Sequence, residues 1–313
     1  MVEESDNPAI QVSQLGVTFP GCVALRNVDL QVPNGTVFAL LGENGAGKTT
    51  LIRVLTGFTQ PTTGQCNVLG LNPVRDAVQV RQRIGYVSDA PAMYDWMRVD
   101  EIGWFAASFY PDGYLERYRE LIAGYEVPSD RKIRHLSKGQ RAKVALGLAL
   151  AHDPELLILD EPTSGLDPLV RREFLESLLD RVADGRTVLL SSHQISEVER
   201  VADQVAILHQ GQVRLLDSLQ NLRDSFVELT ISLSDPLVSL PELQSPAEVF
   251  RSQINGRQQR MVVRDLSPQQ LEEVKGWNGV EHVSTHATSL EDIFTACLRG
   301  KQTPKTSGQA SAQ

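Results

Sequence analysis

Cysteine is scarce in this chain of 313 residues: Cys22, Cys66 and Cys297 stand far apart, odd in number and without metal-ligand spacing. Their pattern excludes a disulfide framework and a cysteine-bound metal site, and fits a reducing compartment with buried or incidental thiols. Long apolar runs are missing as well. The most apolar stretches, VFALLG at 37–42, LLILD at 156–160 and TVLLSS at 187–192, fall far short of the ~20 residues a membrane-crossing helix needs. No basic run occurs and the net charge is -9, which works against broad nucleic-acid binding, because neutralising phosphates takes clustered Lys and Arg. The opening MVEESDNPAI has no basic stretch leading into apolar residues, so no secretory signal is read and the chain is expected to stay in the cytoplasm. There is no internal repeat, hence no sign of two fused copies of one unit.

What is present is an α/β pattern. The three apolar runs are bounded by turn residues and separated by helical periodicity, as expected for buried strands of a mostly parallel sheet. Ahead of them, IQVSQLGVTF and VALRNVDLQV alternate apolar and polar residues, with Pro33-Asn34-Gly35 as a turn, which predicts an antiparallel β region. Residues 90–150 read as mainly helical, including GWFAASF, LERYRELIAGY and GQRAKVALGLALA. Past residue 217, VELTISL, RMVVRDL and VEHVSTHA look like strands and QQLEEVKGW like a short helix. Residues 218–300 are therefore expected to form a small α+β appendage, and the polar tail 301–313 to be disordered.

The string Gly42-Glu43-Asn44-Gly45-Ala46-Gly47-Lys48-Thr49 lies directly after the strand-like VFALL and before the helix-like TLIRVLTGF. It matches the phosphate-binding P-loop pattern in the context that confirms it. Glycines let successive backbone N–H groups turn inward on phosphates, Lys48 supplies a point charge to the β and γ positions, and Thr49 offers its hydroxyl to Mg²⁺. Thr50 closes the nucleotide-contacting set. The strand at 156–160 ends in Asp160 followed by Glu161, at the sheet edge where such folds bind ligands. Asp160 is expected to hold Mg²⁺ through water, and Glu161 to polarise the attacking water.

Leu136-Ser137-Lys138-Gly139-Gln140, with Ser137 standing 23 residues before Asp160, resembles the signature motif of ABC (ATP-binding cassette) ATPases. Ser137 and Gly139 sit at the start of an apolar helix expected over 140–151, so a hydroxyl, free amides and the positive helix end are aimed at an anion. The resemblance implies that this anion is the γ-phosphate of ATP bound to a partner subunit, contacted by Ser137, Gly139 and Gln140. Ser164-Gly165-Leu166-Asp167 is similar to the family's D-loop, and His193 in LLSSHQISEVE to its switch histidine, implied to hold the γ-phosphate, Glu161 and water in line. Phe19, six residues before Leu25, resembles the aromatic residue that stacks on adenine; a core aromatic on a strand is the other reading.

The resemblance covers about residues 8–217 and implies a P-loop NTPase cassette with a mostly parallel sheet core, an antiparallel β subdomain and a helical subdomain. It implies ATP and Mg²⁺ as ligands, Lys48, Glu161 and His193 as catalytic groups, and a homodimer or heterodimer with a second cassette. It also implies a separate transmembrane subunit, which places the chain peripherally on the cytoplasmic face of the cell membrane. The ending SLEDIFTACLRG is similar to the C-terminal extensions of ABC-2-type exporter ATPases, which favours export. Two rivals remain: a soluble ABC ATPase acting on nucleic acid or ribosomes, and a regulatory subunit that binds ATP without hydrolysing it.

Two positions depart from the family pattern. In the signature-like segment Lys138 stands where the family most often carries glycine, with a side chain that can point away. Where the family carries a glutamine that touches Mg²⁺, Ile84-Gly85-Tyr86-Val87-Ser88-Asp89 places Asp89, a shorter and charged group able to reach the metal through water. Just beyond it, Pro91, Met93, Tyr94, Trp96, Met97, Trp104 and Phe105 form an aromatic-rich stretch. It reads either as the core of the helical subdomain or as a groove for a cytoplasmic helix of the membrane subunit.

Overall fold

A computed structural model describes residues 7–299. They fall into two compact units, the first ending at Asp217 and the second opening at Ser218.

The first unit begins with β1 (Ile10–Phe19) and β2 (Cys22–Val32), followed by β3 (Val37–Leu41), α1 (Lys48–Leu55) and β4 (Thr63–Val68). Alternating burial along β1 and β2 follows the alternating apolar pattern, and β1 pairs antiparallel with both β2 and β4 to make a three-stranded sheet. Then come α2 (Ala77–Arg83), β5 (Ile84–Val87), α3 (Val99–Ala107), α4 (Tyr114–Gly124) and α5 (Lys138–Leu150). The unit is completed by β6 (Leu156–Asp160), α6 (Pro168–Ala183), β7 (Thr187–Ser192), α7 (Ile195–Val201), β8 (Gln204–His209) and β9 (Gln212–Ser218).

β3, β6 and β7 are the three apolar runs, and every residue in them is buried. Such continuous burial is what helices on both faces of a parallel sheet impose. The six-stranded sheet runs β5-β6-β7-β3-β8-β9, with β5, β6, β7, β3 and β8 pairing in parallel. Register brings Leu41 opposite Ser192, Asp160 opposite Ser191 and Val87 opposite Leu159. The loops that follow β3, β5, β6 and β7 therefore leave from one edge of the sheet, although they are spread along the chain from Leu41 to Ser192.

α3, α4 and α5 enclose a separate core built on Val99, Ile102, Tyr118, Ile122, Ile133 and Val144. Gly103 makes that packing possible: a Cβ there would lie 2.1 Å from the Tyr118 ring. The ring cannot retreat easily, because it is fully buried and its hydroxyl donates to the Val99 carbonyl at 2.8 Å. Gly103→Ala gains helix propensity of about 1 kcal/mol, but overpacking is expected to outweigh it, with a net loss of roughly 1–2 kcal/mol. A lowered urea midpoint at unchanged slope checks this; an unchanged midpoint would mean that the helices slide apart freely.

The second unit contains α8 (Leu219–Ser225), β10 (Phe226–Leu233), β11 (Glu248–Asn255), β12 (Gln258–Arg264), α9 (Pro268–Lys275), β13 (Val280–Ala287) and α10 (Leu290–Arg299). Its sheet is antiparallel in the order β11-β12-β10-β13, over a core including Leu229, Ile231, Met261, Val263 and Val274. β11 adds a strand that sequence reading passed over: EVFRSQIN is an edge strand with no apolar alternation to betray it. The tail 301–313, expected to be disordered, lies outside the described residues.

Candidate functional site

At the common sheet edge, Gly42–Thr49 wraps from the end of β3 into α1. Gly45 and Gly47 take φ values of 81° and 111°, a region open to glycine and strained for other residues. At Gly47 a side chain would also strike the Ala24 carbonyl at 2.8 Å. Both demands explain glycine there. The first-turn amides of α1 have no intrahelical acceptors, so a partial positive charge faces the loop.

Lys48 is only 6% exposed. Its Nζ donates to the Gly42 carbonyl at 2.6 Å and to the Glu43 carbonyl at 3.3 Å, and lies 3.1 Å from Glu161 Oε1. Glu161 follows β6 with φ 49°, an uncommon conformation for a residue with a side chain. Its amide donates to the Ser191 carbonyl at 3.2 Å and to Ser191 Oγ at 3.1 Å. The second carboxylate oxygen accepts from His193 Nδ1 at 2.7 Å. Because a carboxylate only accepts, that nitrogen carries the hydrogen. Lys48, Glu161 and His193 thus form one continuous chain of polar contacts.

Asp160 is buried beside them and accepts from Ser191 Oγ at 2.6 Å. Ser191 was not singled out from the sequence; the available signal was a pair of hydroxyl residues ending an otherwise apolar strand. Phe19, Arg26, Lys48, Thr49, Asp89 and Glu161 line a cavity of about 530 Å³, together with Glu43, Asn44, Gly45, Gly47 and Thr50, whereas Gly42 and Ala46 of the same loop are not in its lining. Phe19 is 43% exposed at its mouth, which removes the core-aromatic reading. Arg26 is a further cation on that wall.

Ser137, Gly139 and Gln140 are not part of this cavity's lining. Ser137 is the N-cap of α5, accepting from the Gln140 amide at 3.2 Å while the Gln140 side chain accepts from the Ser137 amide at 3.1 Å. The helix therefore starts at Lys138, two residues earlier than expected, because the capping box captures its first turn. A side chain at Gly165 would meet Lys138 Nζ at 3.1 Å, so the lysine that replaces the family's glycine lies over the turn 164–167. Asp167 caps α6, accepting from the amides of Leu169 and Val170.

In the aromatic stretch the two readings divide. Met93 and Met97 pack on the helical core, whereas Tyr94, Trp96 and Trp104 are largely exposed, the last two at 62% and 63%. Tyr94 meets Phe105 edge-on with ring centres 5.6 Å apart.

The family profile described as "ABC transporter" matches residues 25–164. A Nod factor export ATP-binding protein from Cupriavidus metallidurans is 33% identical over 279 residues, covering 87% of this chain and 91% of that protein. The chain belongs to the ABC transporter family, as an ATP-binding subunit. An ABC transporter ATP-binding protein of Nostoc is 40% identical over 65% of this chain, and the match spans 62% of that relative's length. Among solved structures, one described as an ATP binding subunit of an ABC transporter superposes with a TM-score of 0.64 at 30% identity, covering 69% of this chain and 92% of that one. The architecture is thus an ABC ATPase cassette, and cassettes of this family are ATPases. Among the described residues, no helix is long and apolar enough to cross a membrane.

Proposed function

We propose that residues 8–217 hydrolyse ATP to drive a transport cycle, that 218–300 are an accessory domain, and that the membrane-spanning part lies on another chain. The observation that carries the reading is the meeting of Lys48, Glu161 and His193 at the edge of a glycine-lined cavity, with contacts of 3.1 and 2.7 Å. A nucleotide fits this place: the loop offers unpaired amides and a lysine to phosphates, and Phe19 stands at the mouth as a stacking surface for a base.

Mg²⁺ fits as well. Asp160, Asp89 and the Thr49 hydroxyl are oxygen donors, and this cation typically takes one or two carboxylates and completes its shell with phosphate and water oxygens. When bound, it neutralises phosphate charge. Glu161 then polarises water, His193 holds Glu161 in orientation through its Nδ1–H, and Lys48 transfers its contacts from Glu161 and the loop carbonyls to phosphate oxygens.

Ser137, Gly139 and Gln140 begin a helix outside the protomer's own cavity. This supports a second cassette, identical or different, whose helix tip completes the site, with closure and reopening passed to the membrane partner. Export is supported by the similarity to the Cupriavidus relative, a Nod factor export ATP-binding protein. The exposed Tyr94, Trp96 and Trp104 are suited to anchor a cytoplasmic helix of the membrane subunit, and so support a location on the cytoplasmic face of the cell membrane.

Detergent extraction of tagged protein is expected to recover a polytopic membrane protein and MgATP-dependent phosphate release. Trp96→Ser with Trp104→Ser should lower that recovery at least about tenfold, as loss of two interface anchors does, and leave ATP affinity unchanged. Recovery of RNA in place of a membrane protein would overturn the transport reading.

A further inference from the structure

We propose that Glu197 is a positioning residue for ATP hydrolysis, clamping the turn that follows Glu161 to the loop that carries His193. The inference rests on the roles given above to those two residues. Glu197 lies on α7 and is only 3% exposed, so its carboxylate is removed from water and must find all its partners inside the protein. It has three, from three different segments. Oε1 accepts from Thr163 Oγ1 at 2.7 Å, Oε2 accepts from Ser192 Oγ at 2.8 Å, and Arg171 Nε lies 3.3 Å from Oε1.

Each partner adjoins a different working part. Thr163 is two residues after Glu161, and its carbonyl accepts from the Leu166 amide at 3.1 Å, so it also sets the turn 164–167. Ser192 immediately precedes His193 and caps the chain beyond it, accepting from the Gln194 amide at 3.0 Å. Arg171 bridges both: one guanidinium nitrogen donates to the Leu166 carbonyl at 3.2 Å, and another donates to the Gln194 side chain. One buried carboxylate and one arginine therefore hold, from behind, the segments that carry Glu161 and His193, the two residues joined by the 2.7 Å contact.

Removing the charge leaves Arg171 and the two hydroxyls to compete for a weaker acceptor, and the 161–166 and 192–194 segments lose their common register. Misplacement by a fraction of an ångström is enough to lower turnover when a base must meet a water in line. The same clamp supplies a path by which closure at the turn 164–167 reaches His193.

Glu197→Gln keeps the volume and one acceptor. It is expected to bind ATP within about twofold of the parent in calorimetry, with kcat reduced roughly tenfold and KM little changed. Thr163→Val, which removes one partner and leaves Glu197 in place, should give a smaller loss in the same direction. The deciding measurement is a double-mutant cycle: in a His193→Ala background, Glu197→Gln should add less than about twofold, because its effect runs through the histidine. Independently of turnover, ¹⁵N spectra of histidine-labelled protein should lose the hydrogen-bonded Nδ1–H of His193 in Glu197→Gln. Full additivity in the cycle, or an intact Nδ1–H signal with unchanged kcat, overturns the proposal. A parent protein that binds ATP but releases no phosphate would overturn the functional reading instead, and the Nδ1–H signal would still test the clamp.

Discussion

Glu161→Gln is expected to lower ATP hydrolysis by at least about a hundredfold, the loss typical of removing a positioned base, while ATP binds as tightly as before or more tightly. Two features of the site set both halves of that outcome. The glutamine keeps the shape that fills the space between Lys48 and His193, so the cavity is preserved. It loses the negative charge that holds Lys48 Nζ at 3.1 Å. In the nucleotide-free protein this contact competes with phosphate for the lysine, and weakening it frees the cation for the incoming anion. Bound ATP that persists without being turned over should leave the cassettes paired, because the helix tip led by Ser137 would keep its ligand. Single-turnover phosphate release and light scattering at saturating MgATP read the two effects. Hydrolysis at the parent rate would remove Glu161 from the mechanism, and a strictly monomeric ATP-loaded variant would remove the shared site.

Lys48→Ala should weaken ATP binding by roughly a hundredfold or more, since hydrogen bonds from a charged group contribute about 1.5–3 kcal/mol each and every 1.4 kcal/mol is a factor of ten. A second effect separates this variant from a purely local loss. Lys48 is almost fully buried, and its removal leaves the Glu161 carboxylate, itself largely shielded from water, with His193 as its main partner. The nucleotide-free variant should therefore be less stable than the parent, by about 1–3 kcal/mol. Lys48→Ala combined with Glu161→Gln should recover much of that stability without recovering ATP affinity. Thermal unfolding without nucleotide, set beside calorimetric titration with ATP, measures both. Equal stability of the two variants would show that the ion pair contributes little to the resting fold.

Local features of the fold were legible because contiguous residues encode them. Three apolar runs become β3, β6 and β7, buried throughout, since a strand covered on both faces reads as a near-continuous hydrophobic run. Their polar residues fall only at the strand ends, where Asp160, Ser191 and Ser192 have hydrogen-bond partners. The spacing of glycines and Lys48 reads as a phosphate loop because backbone conformation alone makes the cradle, and Gly45 and Gly47 do adopt the left-handed φ that such a turn needs. In the second unit, alternation along β10 and β12 was visible, while β11 was not, since an edge strand facing solvent needs no apolar period.

Tertiary structure alone decided the remainder. No sequence spacing shows that Lys48 lies 3.1 Å from Glu161, or that Glu161 lies 2.7 Å from His193; those contacts depend on the parallel register of β3, β6 and β7. Nor does composition separate Met93 and Met97, which pack inward, from Trp96 and Trp104, which face out. The burial of Glu197 among Thr163, Arg171 and Ser192 is of the same kind. Its helical surroundings would suit a solvated acid equally well, and only the folded neighbours convert it into a clamp. Short-range backbone geometry is a property of adjacent residues and can be read from their order, whereas distances between side chains far apart in the chain exist only once the sheet has set its register.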